Sequence, residues 1–167
     1  MISDFSIITM MQIAKKVAHT LIQRHQTLSV AESCTGGFLA HTFTNIPGSS
    51  QFFKLGVIAY ANEAKTIVLN VPAQTIASKG AVSLLTVKRM AKGVRSILKT
   101  DFSVAISGIA GPTGSTEKKP IGLVMIAIAS HKRVRAAKFR FHGSRLSIKK
   151  QATAKALKLL LALINEK

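Results

Sequence analysis

The stretch Thr27-Leu-Ser-Val-Ala-Glu-Ser-Cys-Thr-Gly-Gly37 decides the fold, because an apolar run passes directly into a glycine turn. A short apolar run bounded by turn residues is typical of a buried strand, which we predict over residues 27–31. The glycine pair leads into a helical segment with apolar residues through Phe43, and Pro47-Gly48 ends that helix. A strand, a turn and a helix in this order indicate an α/β fold.

The rest of the chain continues the alternation of helices and strands. In chain order we predict a helix over 7–21, a strand over 55–60, a helix over 61–69, a helix capped by Ser83 that reaches Leu98, a strand over 101–106, strands over 121–129 and 134–141, and a closing helix capped by Ser144. Pro72 forces a break after the helix over 61–69. Residues 108–120 form a Gly- and Pro-rich loop. The last two strands are expected to be antiparallel. We therefore predict one α/β domain over residues 1–167 with a mixed sheet.

Composition excludes several classes of protein. The 167 residues include 24 Lys and Arg against 6 Asp and Glu, a net charge of +18, but 47% are hydrophobic. This apolar share is enough for a folded core and excludes a disordered basic tail. The single cysteine, Cys34, excludes a disulfide framework and a multi-thiolate zinc site. The sequence has no His/Asp/Glu cluster with ligand spacing, so we expect neither a metal nor a cofactor.

No targeting or membrane segment is predicted. Residues 1–12 lack the basic start of a signal peptide, and Asp4 lies where one would begin. The longest charge-free apolar run near the C-terminus, residues 121–130, is too short to span a bilayer. We expect a cytoplasmic protein that does not contact membranes.

The positive charge is uneven, which raises nucleic acid as a partner. Residues 118–167 hold 13 Lys and Arg against Glu166 alone, a net charge of +12. Such a field attracts polyanions. The sequence contains no helix-turn-helix spacing, zinc-finger pattern or aromatic RNA-binding strand, so only non-specific electrostatic binding of nucleic acid is expected.

The turn at residues 31–37 is the main candidate for chemistry. A strand that runs into a glycine turn and a helix points backbone N–H groups and a positive helix end at one place, which suits a phosphate or an oxyanion. The same turn carries the hydroxyls of Ser33 and Thr35, the Cys34 thiol and one carboxylate. An equally good interpretation is a tight turn in which Ser33 or Thr35 is an ordinary N-cap.

Two nucleophiles are possible at this turn. Cys34 is the stronger one intrinsically, but it needs a base and an electropositive setting, and no histidine motif supplies the base. Ser33 with a desolvated lysine is the other route, and Lys65 in Tyr60-Ala-Asn-Glu-Ala-Lys65 is a candidate. The residues alone leave both routes open.

Six motifs occur together and in order. They are Ala31-Glu-Ser-Cys-Thr-Gly-Gly37, Pro47-Gly-Ser-Ser50, Tyr60-Ala-Asn-Glu-Ala-Lys65, Gly80-Ala-Val-Ser83, Gly108-Ile-Ala-Gly-Pro112 and Lys119-Pro-Ile-Gly122. The set closely resembles the CinA C-terminal domain, the nicotinamide-nucleotide amidase (PncC) family, over about residues 10–163. This resemblance implies a three-layer α/β/α sandwich, and at this length the chain resembles the stand-alone form of the family.

The resemblance also implies an activity, namely hydrolysis of nicotinamide mononucleotide to nicotinate mononucleotide and ammonia in pyridine-nucleotide salvage. The family's catalytic serine corresponds to Ser33, and its lysine and tyrosine correspond to Lys65 and Tyr60. On this hypothesis Ser33 attacks the carboxamide carbon, while a neutral Lys65, helped by Tyr60, moves the proton. No metal takes part.

The substrate-binding residues are predicted with the same chemistry. The N–H groups of Thr35, Gly36 and Gly37 are expected to hold the oxyanion. Arg145, helped by Ser49 or Ser50, is expected to bind the 5′-phosphate. The loop that starts at Ser107 and Gly108 is either a surface connection or a wall of the substrate site, and the resemblance favours the second.

The sequence departs from the family pattern around this site. Leu84 stands where the family has Glu, Ser107 where it has Thr, Ser115 where it has Gly, Ser144 where it has Asp, and Leu146 where it has an acidic residue. These changes keep open a catalytically silent member that binds a nucleotide without hydrolysing it. A homo-oligomer, a dimer or larger, is also expected, because the short chain carries apolar helix and strand surfaces.

Overall fold

A five-stranded sheet forms the centre of the computed structural model, which describes residues 4–166 and the side chains of residues 8–166. The strands are β1 (Leu28–Glu32), β2 (Phe53–Ile58), β3 (Phe102–Gly108), β4 (Leu123–Ser130) and β5 (Val134–Arg140). Their order in the sheet is β2-β1-β3-β4-β5. Strands β1, β2 and β3 are parallel, and β4 and β5 are each antiparallel to the preceding strand. The predicted mixed sheet is confirmed.

Helices cover both faces of this sheet. They are α1 (Asp4–Gln23), α2 (Phe38–Thr44), α3 (Asn62–Leu69), α4 (Ala73–Lys79), α5 (Leu84–Leu98) and α6 (Arg145–Asn165), with a 3₁₀ turn at Ser49–Gln51. Helices α1, α2 and α6 pack on one face, and α3 and α5 pack on the other with α4 beside them. The three-layer α/β/α sandwich is therefore confirmed.

Side chains of different size line the two faces of the central strands. Along β3, Val104 and Ile106 point to the α1/α6 side, whereas Ser103 and Ala105 point to α5, as the two-residue period of a strand requires. The Ser103 hydroxyl donates to the Ala91 carbonyl of α5 at 2.7 Å. Small residues on this face thus let α5 lie close to the sheet.

The predicted elements are present, with two differences. Strand β2 lies two residues earlier than predicted, because it pairs with β1 from Phe53 onward and its last partner is Ile58. Tyr60 is consequently in the loop after the strand. Helix α4 was not predicted: Pro72 ends one helix, as expected, but its fixed φ also suits the start of the next one.

Both predicted helix caps are confirmed. The Ser83 hydroxyl accepts from the Thr86 N–H at 3.1 Å, and the Ser144 hydroxyl accepts from the Ser147 N–H at 3.3 Å. These bonds satisfy N–H groups that have no partner inside α5 and α6.

The parallel strands end at one edge of the sheet, and this edge carries the candidate site. The carboxyl ends of β1, β2 and β3 meet there, which is the usual position of ligand sites in open α/β sheets. Over the described residues, no helix combines the length and the apolar character needed to cross a membrane.

Candidate active site

A cavity of about 510 Å³ opens at the carboxyl edge of the parallel strands. The predicted site residues that line it are Ser33 after β1, Tyr60 and Lys65 after β2, Ser107 and Gly108 at the end of β3, and Arg145 at the start of α6. Four separate parts of the chain therefore meet in one cavity. Its volume lies in the range of small-molecule sites, roughly 300–1,000 Å³.

Ser33 is held by its own backbone. Its N–H donates to the Ile106 carbonyl of β3 at 2.9 Å, and its carbonyl accepts from the Gly36 N–H at 3.0 Å. The residue is 8% exposed and lies at the cavity wall. The turn thus fixes the position of the serine hydroxyl without using that hydroxyl as a helix cap.

The carboxylate of Glu32 performs the capping instead. It is buried, and its two oxygens accept from the Leu39 N–H at 3.1 Å and the Ala40 N–H at 2.8 Å, both in the first turn of α2. Sequence reasoning assigned this carboxylate no role. The sequence feature that could have indicated its role is its position: Glu32 is one of only six acidic residues in the chain, and it directly follows an apolar strand.

This bond corrects the predicted anion site at the helix end. Because the Glu32 carboxylate neutralises the start of α2, that helix end does not face the cavity as a free positive pole. The Gly36 N–H is also occupied, since it donates to Ser33. Among the described residues, the N–H groups of Thr35 and Gly37 have no protein acceptor.

The turn residues after Cys34 lie behind the cavity wall rather than on it. The Thr35 side chain is buried, and its hydroxyl has no hydrogen-bond partner within the described part of the chain. A Cβ at Gly36 would contact the Lys149 ammonium, and a Cβ at Gly37 would contact Ile58. Lys149, which the sequence analysis did not single out, therefore stands close behind the Ser33 turn.

Lys65 is buried in spite of its charge-bearing amine. It is 1% exposed, and its Nζ donates to the carbonyls of Ala59 and Tyr60 at 3.0 Å each and to that of Ala61 at 3.4 Å. Removal from water lowers the pKa of the Lys65 amine below its ordinary value of 10.5. Two hydrogens suffice for the two short bonds, so a neutral amine keeps a lone pair. No hydrogen bond joins this amine to the Ser33 hydroxyl in the described structure.

Cys34 has the opposite electrostatics. It is buried in the core beside α6, and burial raises the pKa of its thiol to about 12, with a further contribution from the Glu32 carboxylate. The positive charges of Lys149 and Arg145 oppose this shift without overcoming it. A thiol with so high a pKa is protonated at neutral pH and is a poor nucleophile. Cys34 lines the same cavity as Ser33, so it is the raised pKa of the thiol, and not its position, that favours Ser33 as the nucleophile.

Tyr60 and Arg145 meet at the mouth of the cavity. The Tyr60 side chain is 59% exposed, and its hydroxyl accepts from Arg145 Nη2 at 2.9 Å. Arg145 Nη1 donates to the Gly111 carbonyl at 2.7 Å, which ties α6 to the loop after β3. Tyr60 contacts Lys65 through its carbonyl, whereas its hydroxyl faces Arg145.

The loop after β3 forms part of the cavity wall, as the second interpretation of residues 108–120 predicts. Gly108, Gly111 and Thr113 line the cavity. Ser107 also lines it, but its hydroxyl donates to the Ala81 carbonyl at 2.9 Å and so joins β3 to the segment before α5.

The structure does not bring Ser49 and Ser50 to this cavity. They form the 3₁₀ turn ahead of β2, whereas the cavity lies after the end of that strand. Six residues of strand at about 3.3 Å each separate the two places by roughly 20 Å. Within one chain, Ser49 and Ser50 therefore do not bind the same phosphate group as Arg145.

Four of the five positions that depart from the family pattern lie outside the cavity wall. Leu84 and Leu146 are exposed at the starts of α5 and α6, Ser115 is exposed in the loop, and Ser144 caps α6. Ser107 alone of these lines the cavity. In the part of the chain that the structure describes, no group of three or more His, Cys, Asp or Glu residues could hold a metal ion.

Comparison with known proteins identifies the family. The model of the CinA C-terminal domain matches residues 10–164. A CinA-like protein of Endomicrobium trichonymphae is 45% identical over 148 residues, which cover 89% of this chain and 35% of that protein. A CinA-like protein of Fervidobacterium nodosum is 46% identical over 144 residues, with 86% and 35% covered. The chain thus spans about a third of the length of the curated relatives it matches.

Solved structures agree with this match over nearly their whole length. The competence/damage inducible protein CihA from Agrobacterium tumefaciens superposes with a TM-score of 0.92 at 34% identity, covering 95% of this chain and 96% of that one. The competence damage-inducible protein A from Klebsiella pneumoniae gives 0.91 at 33% identity, covering 95% and 99%. The fold, the order of motifs and the sequence match lead to one conclusion: the chain belongs to the CinA C-terminal domain family.

Proposed function

We propose that this chain hydrolyses the carboxamide of nicotinamide mononucleotide to nicotinate mononucleotide and ammonia. The observation that carries the proposal is that Ser33 and a buried, desolvated Lys65 line the same cavity. An amine with a lowered pKa is able to act as a base for a serine hydroxyl, which ordinary surface lysines cannot do at neutral pH. The family resemblance supplies the substrate.

The proposed reaction has two halves. Ser33 Oγ attacks the carboxamide carbon while neutral Lys65 accepts the hydroxyl proton, so that a tetrahedral intermediate forms. The C–N bond then breaks, and Lys65 returns the proton to the leaving nitrogen, which departs as ammonia. In the second half a water molecule gives its proton to Lys65 and attacks the acyl-serine ester. The C–O bond to Ser33 then breaks, Lys65 returns its proton to the serine oxygen, and the acid product loses its remaining proton to solvent and leaves as the carboxylate.

Ser33 needs to come within hydrogen-bond reach of Lys65 for this reaction. Hydrogen bonds between catalytic groups are often long in ligand-free structures and shorten when substrate binds. The N–H groups of Thr35 and Gly37 have no described acceptor, but both residues lie behind the cavity wall, so they hold the oxyanion only if the turn moves toward the substrate when it binds. Gly36 is removed from that role by its bond to Ser33.

Arg145 is the proposed phosphate group ligand. It stands at the mouth of the cavity, and its guanidinium already bridges the Tyr60 hydroxyl and the Gly111 carbonyl. Both partners are neutral acceptors, so a phosphate dianion competes well for the same N–H groups. Tyr60 then positions Arg145 through its hydroxyl and Lys65 through its carbonyl.

The test is ammonia release from nicotinamide mononucleotide by the purified protein beside Ser33→Ala. Ser78→Ala is the matched control, because Ser78 is exposed on α4 and its hydroxyl has no partner among the described residues other than the Gln74 carbonyl. We expect activity in the parent and the control and a loss of at least about 10³-fold in Ser33→Ala. Activity that survives Ser33→Ala contradicts the serine mechanism. A folded parent that binds the nucleotide without releasing ammonia is the silent family member instead.

Arg145→Lys gives a second test of the same proposal. Lysine keeps the charge but loses the planar pair of N–H donors, so the KM for nicotinamide mononucleotide should rise more than kcat falls. Nicotinamide riboside, which lacks the phosphate, provides the comparison. If Arg145→Lys weakens the use of both compounds equally, Arg145 does not bind the phosphate.

A further inference from the structure

A second cavity, of about 630 Å³, lies between helix α5 and the hairpin that joins β4 to β5. We call it the basic groove and define it by its cationic lining residues Lys88, Arg89, Lys92, Arg95, Lys132 and Arg133. Among the described residues, no Asp or Glu lines it. A concave surface with cations on both walls and no carboxylate concentrates the field of those charges and attracts anions.

The cationic side chains on the α5 wall of the groove repel one another. Lys88, Lys92 and Arg95 succeed one another at spacings of four and three residues, which places like charges side by side on one helix face. Helix α5 contains no acidic residue that would compensate them. Such an arrangement destabilises an isolated helix, and a bound anion removes the repulsion.

Two groups at the end of the groove are held in place by neighbours. Arg95 Nη1 donates to the Thr100 carbonyl at 3.1 Å and lies 3.1 Å from His131 Nδ1. His131 Nε2 lies 3.6 Å from an Asp101 carboxylate oxygen in the adjoining cavity. Arg95 is therefore held at the end of the groove by these partners and loses little freedom when it binds a ligand.

Not every cation of the groove is free. Arg133 pairs with Glu166 at 2.8 Å, and the same carboxylate also pairs with Arg135. Lys88, Arg89, Lys92 and Lys132 have no carboxylate partner within the described part of the chain. Four unpaired cations thus remain for a ligand, in addition to the fixed Arg95.

We propose that the basic groove binds nucleic acid through its phosphate backbone, without recognising base sequence. The distance along α5 from Lys88 to Arg95 is about 10 Å at 1.5 Å per residue. One strand of a duplex places about three phosphates along that length, at 3.4 Å each. The apolar side chains of the described lining, Leu85 and Val134, are aliphatic, and the one ring there, His131, is held between Arg95 and Asp101, so the groove offers little surface for base stacking.

An extended polyanion fits better than a compact one because the positive charge continues beyond the groove. Lys138 and Arg140 follow along the edge strand β5, on the same face of the strand as Val134 of the groove. A small phosphorylated ligand would leave those charges unused. Phosphate contacts of this kind position a protein on nucleic acid without reading its sequence.

The groove is separate from the candidate active site. The described linings of the two cavities have no residue in common. The hairpin of the groove starts at Ser130, which pairs with Phe102 at the beginning of β3, whereas Gly108 of the active site lies at the end of that strand. Binding of nucleic acid is therefore independent of the proposed amidase.

The experiment measures binding of a fluorescein-labelled DNA duplex by anisotropy between about 50 and 200 mM salt. The variant K88Q/K92Q removes two cations from the groove. The variant K15Q/K16Q removes two exposed cations from α1, on the other face of the sheet, and so has the same net charge. Thermal unfolding followed by circular dichroism verifies that all three proteins are folded.

We expect the slope of log K against log salt to become shallower by about 1.8 in K88Q/K92Q, at 0.9 per lost phosphate contact. Affinity at 0.1 M salt should fall by about 60-fold, because a slope change of about 1.8 acts over the tenfold range between 1 M and 0.1 M salt. K15Q/K16Q should stay close to the parent, and a change of duplex sequence should have little effect.

Three results would overturn the proposal. If the two double variants lose the same affinity, binding is a general effect of net charge and not of the groove. If the parent does not bind the duplex at 0.1 M salt, the groove has no nucleic-acid function. If tripolyphosphate displaces the duplex at equal phosphate concentration and ionic strength, the ligand is a compact polyanion.

Discussion

Replacing Glu32 with Gln should destabilise the protein although the side chain keeps its size. The Glu32 carboxylate is buried and accepts two backbone N–H groups of α2, at 2.8 and 3.1 Å. Glutamine keeps one oxygen and turns an NH₂ group toward the second N–H, where two donors then face each other. One charge-assisted bond is lost and one buried donor is left without a partner.

The expected size of the effect follows from these two losses. A hydrogen bond to a charged group contributes about 1.5–3 kcal/mol, and an unsatisfied buried N–H costs about 1–3 kcal/mol. Because the terms overlap at one site, we expect the free energy of unfolding to fall by about 2–4 kcal/mol. With a urea m-value of about 2 kcal/mol/M, the unfolding midpoint falls by about 1–2 M.

The assay is urea unfolding beside Glu63→Gln, the same chemical change at an exposed residue of α3. The proposed amidase gives a second readout, since α2 and Glu32 flank the Ser33 turn on both sides. A shift of the turn should lower kcat by tenfold or more and change KM less. A Glu32→Gln midpoint that matches Glu63→Gln would refute the reasoning.

Three further predictions concern single residues. Lys65→Met should lower kcat by about 10²–10⁴-fold, and in the parent kcat/KM should fall as pH drops through the lowered pKa of Lys65. The pKa of Lys65 is lower in the folded protein than in the unfolded chain, so the unfolded chain binds the proton more readily. The urea midpoint of the parent should therefore increase as pH rises from the folded pKa toward 10.5. The same increase in Lys65→Met would contradict this. Cys34→Ala should keep kcat within about a factor of three, because a thiol with a pKa of about 12 is not the nucleophile, and loss of turnover would restore the thiol mechanism. Gly93→Ala should lower the free energy of unfolding by about 3 kcal/mol, because its Cβ would overlap the Leu69 carbonyl, whereas Ser96→Ala on the exposed side of α5 should stay within about 0.5 kcal/mol in the same urea assay.

The elements of the fold could be predicted from the sequence because their signals are local. Helical periodicity, the apolar runs of the strands and the serine caps of α5 and α6 each depend on residues close together in the chain. Helix α4 escaped prediction because a proline ends one helix and starts another with the same restricted φ. The shifted start of β2 has a non-local cause, since its partner β1 sets the register.

Some residues of the candidate site could likewise be predicted from the sequence, whereas the position of others depended on the fold. The six motifs, through the family resemblance, name Ser33, Lys65 and Tyr60, and the start of the last helix names Arg145; the fold brings all four to one cavity. Only the tertiary structure decided that Ser49 and Ser50 lie at the other end of β2, because a motif does not say at which edge of a sheet it lies.

The electrostatic properties of the site belong entirely to the tertiary structure. Sequence shows that Cys34, Lys65 and Glu32 are present, but the pKa values of the Cys34 thiol and the Lys65 amine, and the partners of the Glu32 carboxylate, depend on burial and on distant contacts. Burial raises the pKa of the Cys34 thiol and lowers that of the Lys65 amine. The Glu32 carboxylate binds the start of α2, where the sequence predicts a site for a bound anion. The sequence by itself determined the family, the α/β/α architecture and the candidate residues for the proposed reaction. The packing of β1, α2 and the loop after β2 decided which of those candidates suits that reaction, because packing controls their access to water.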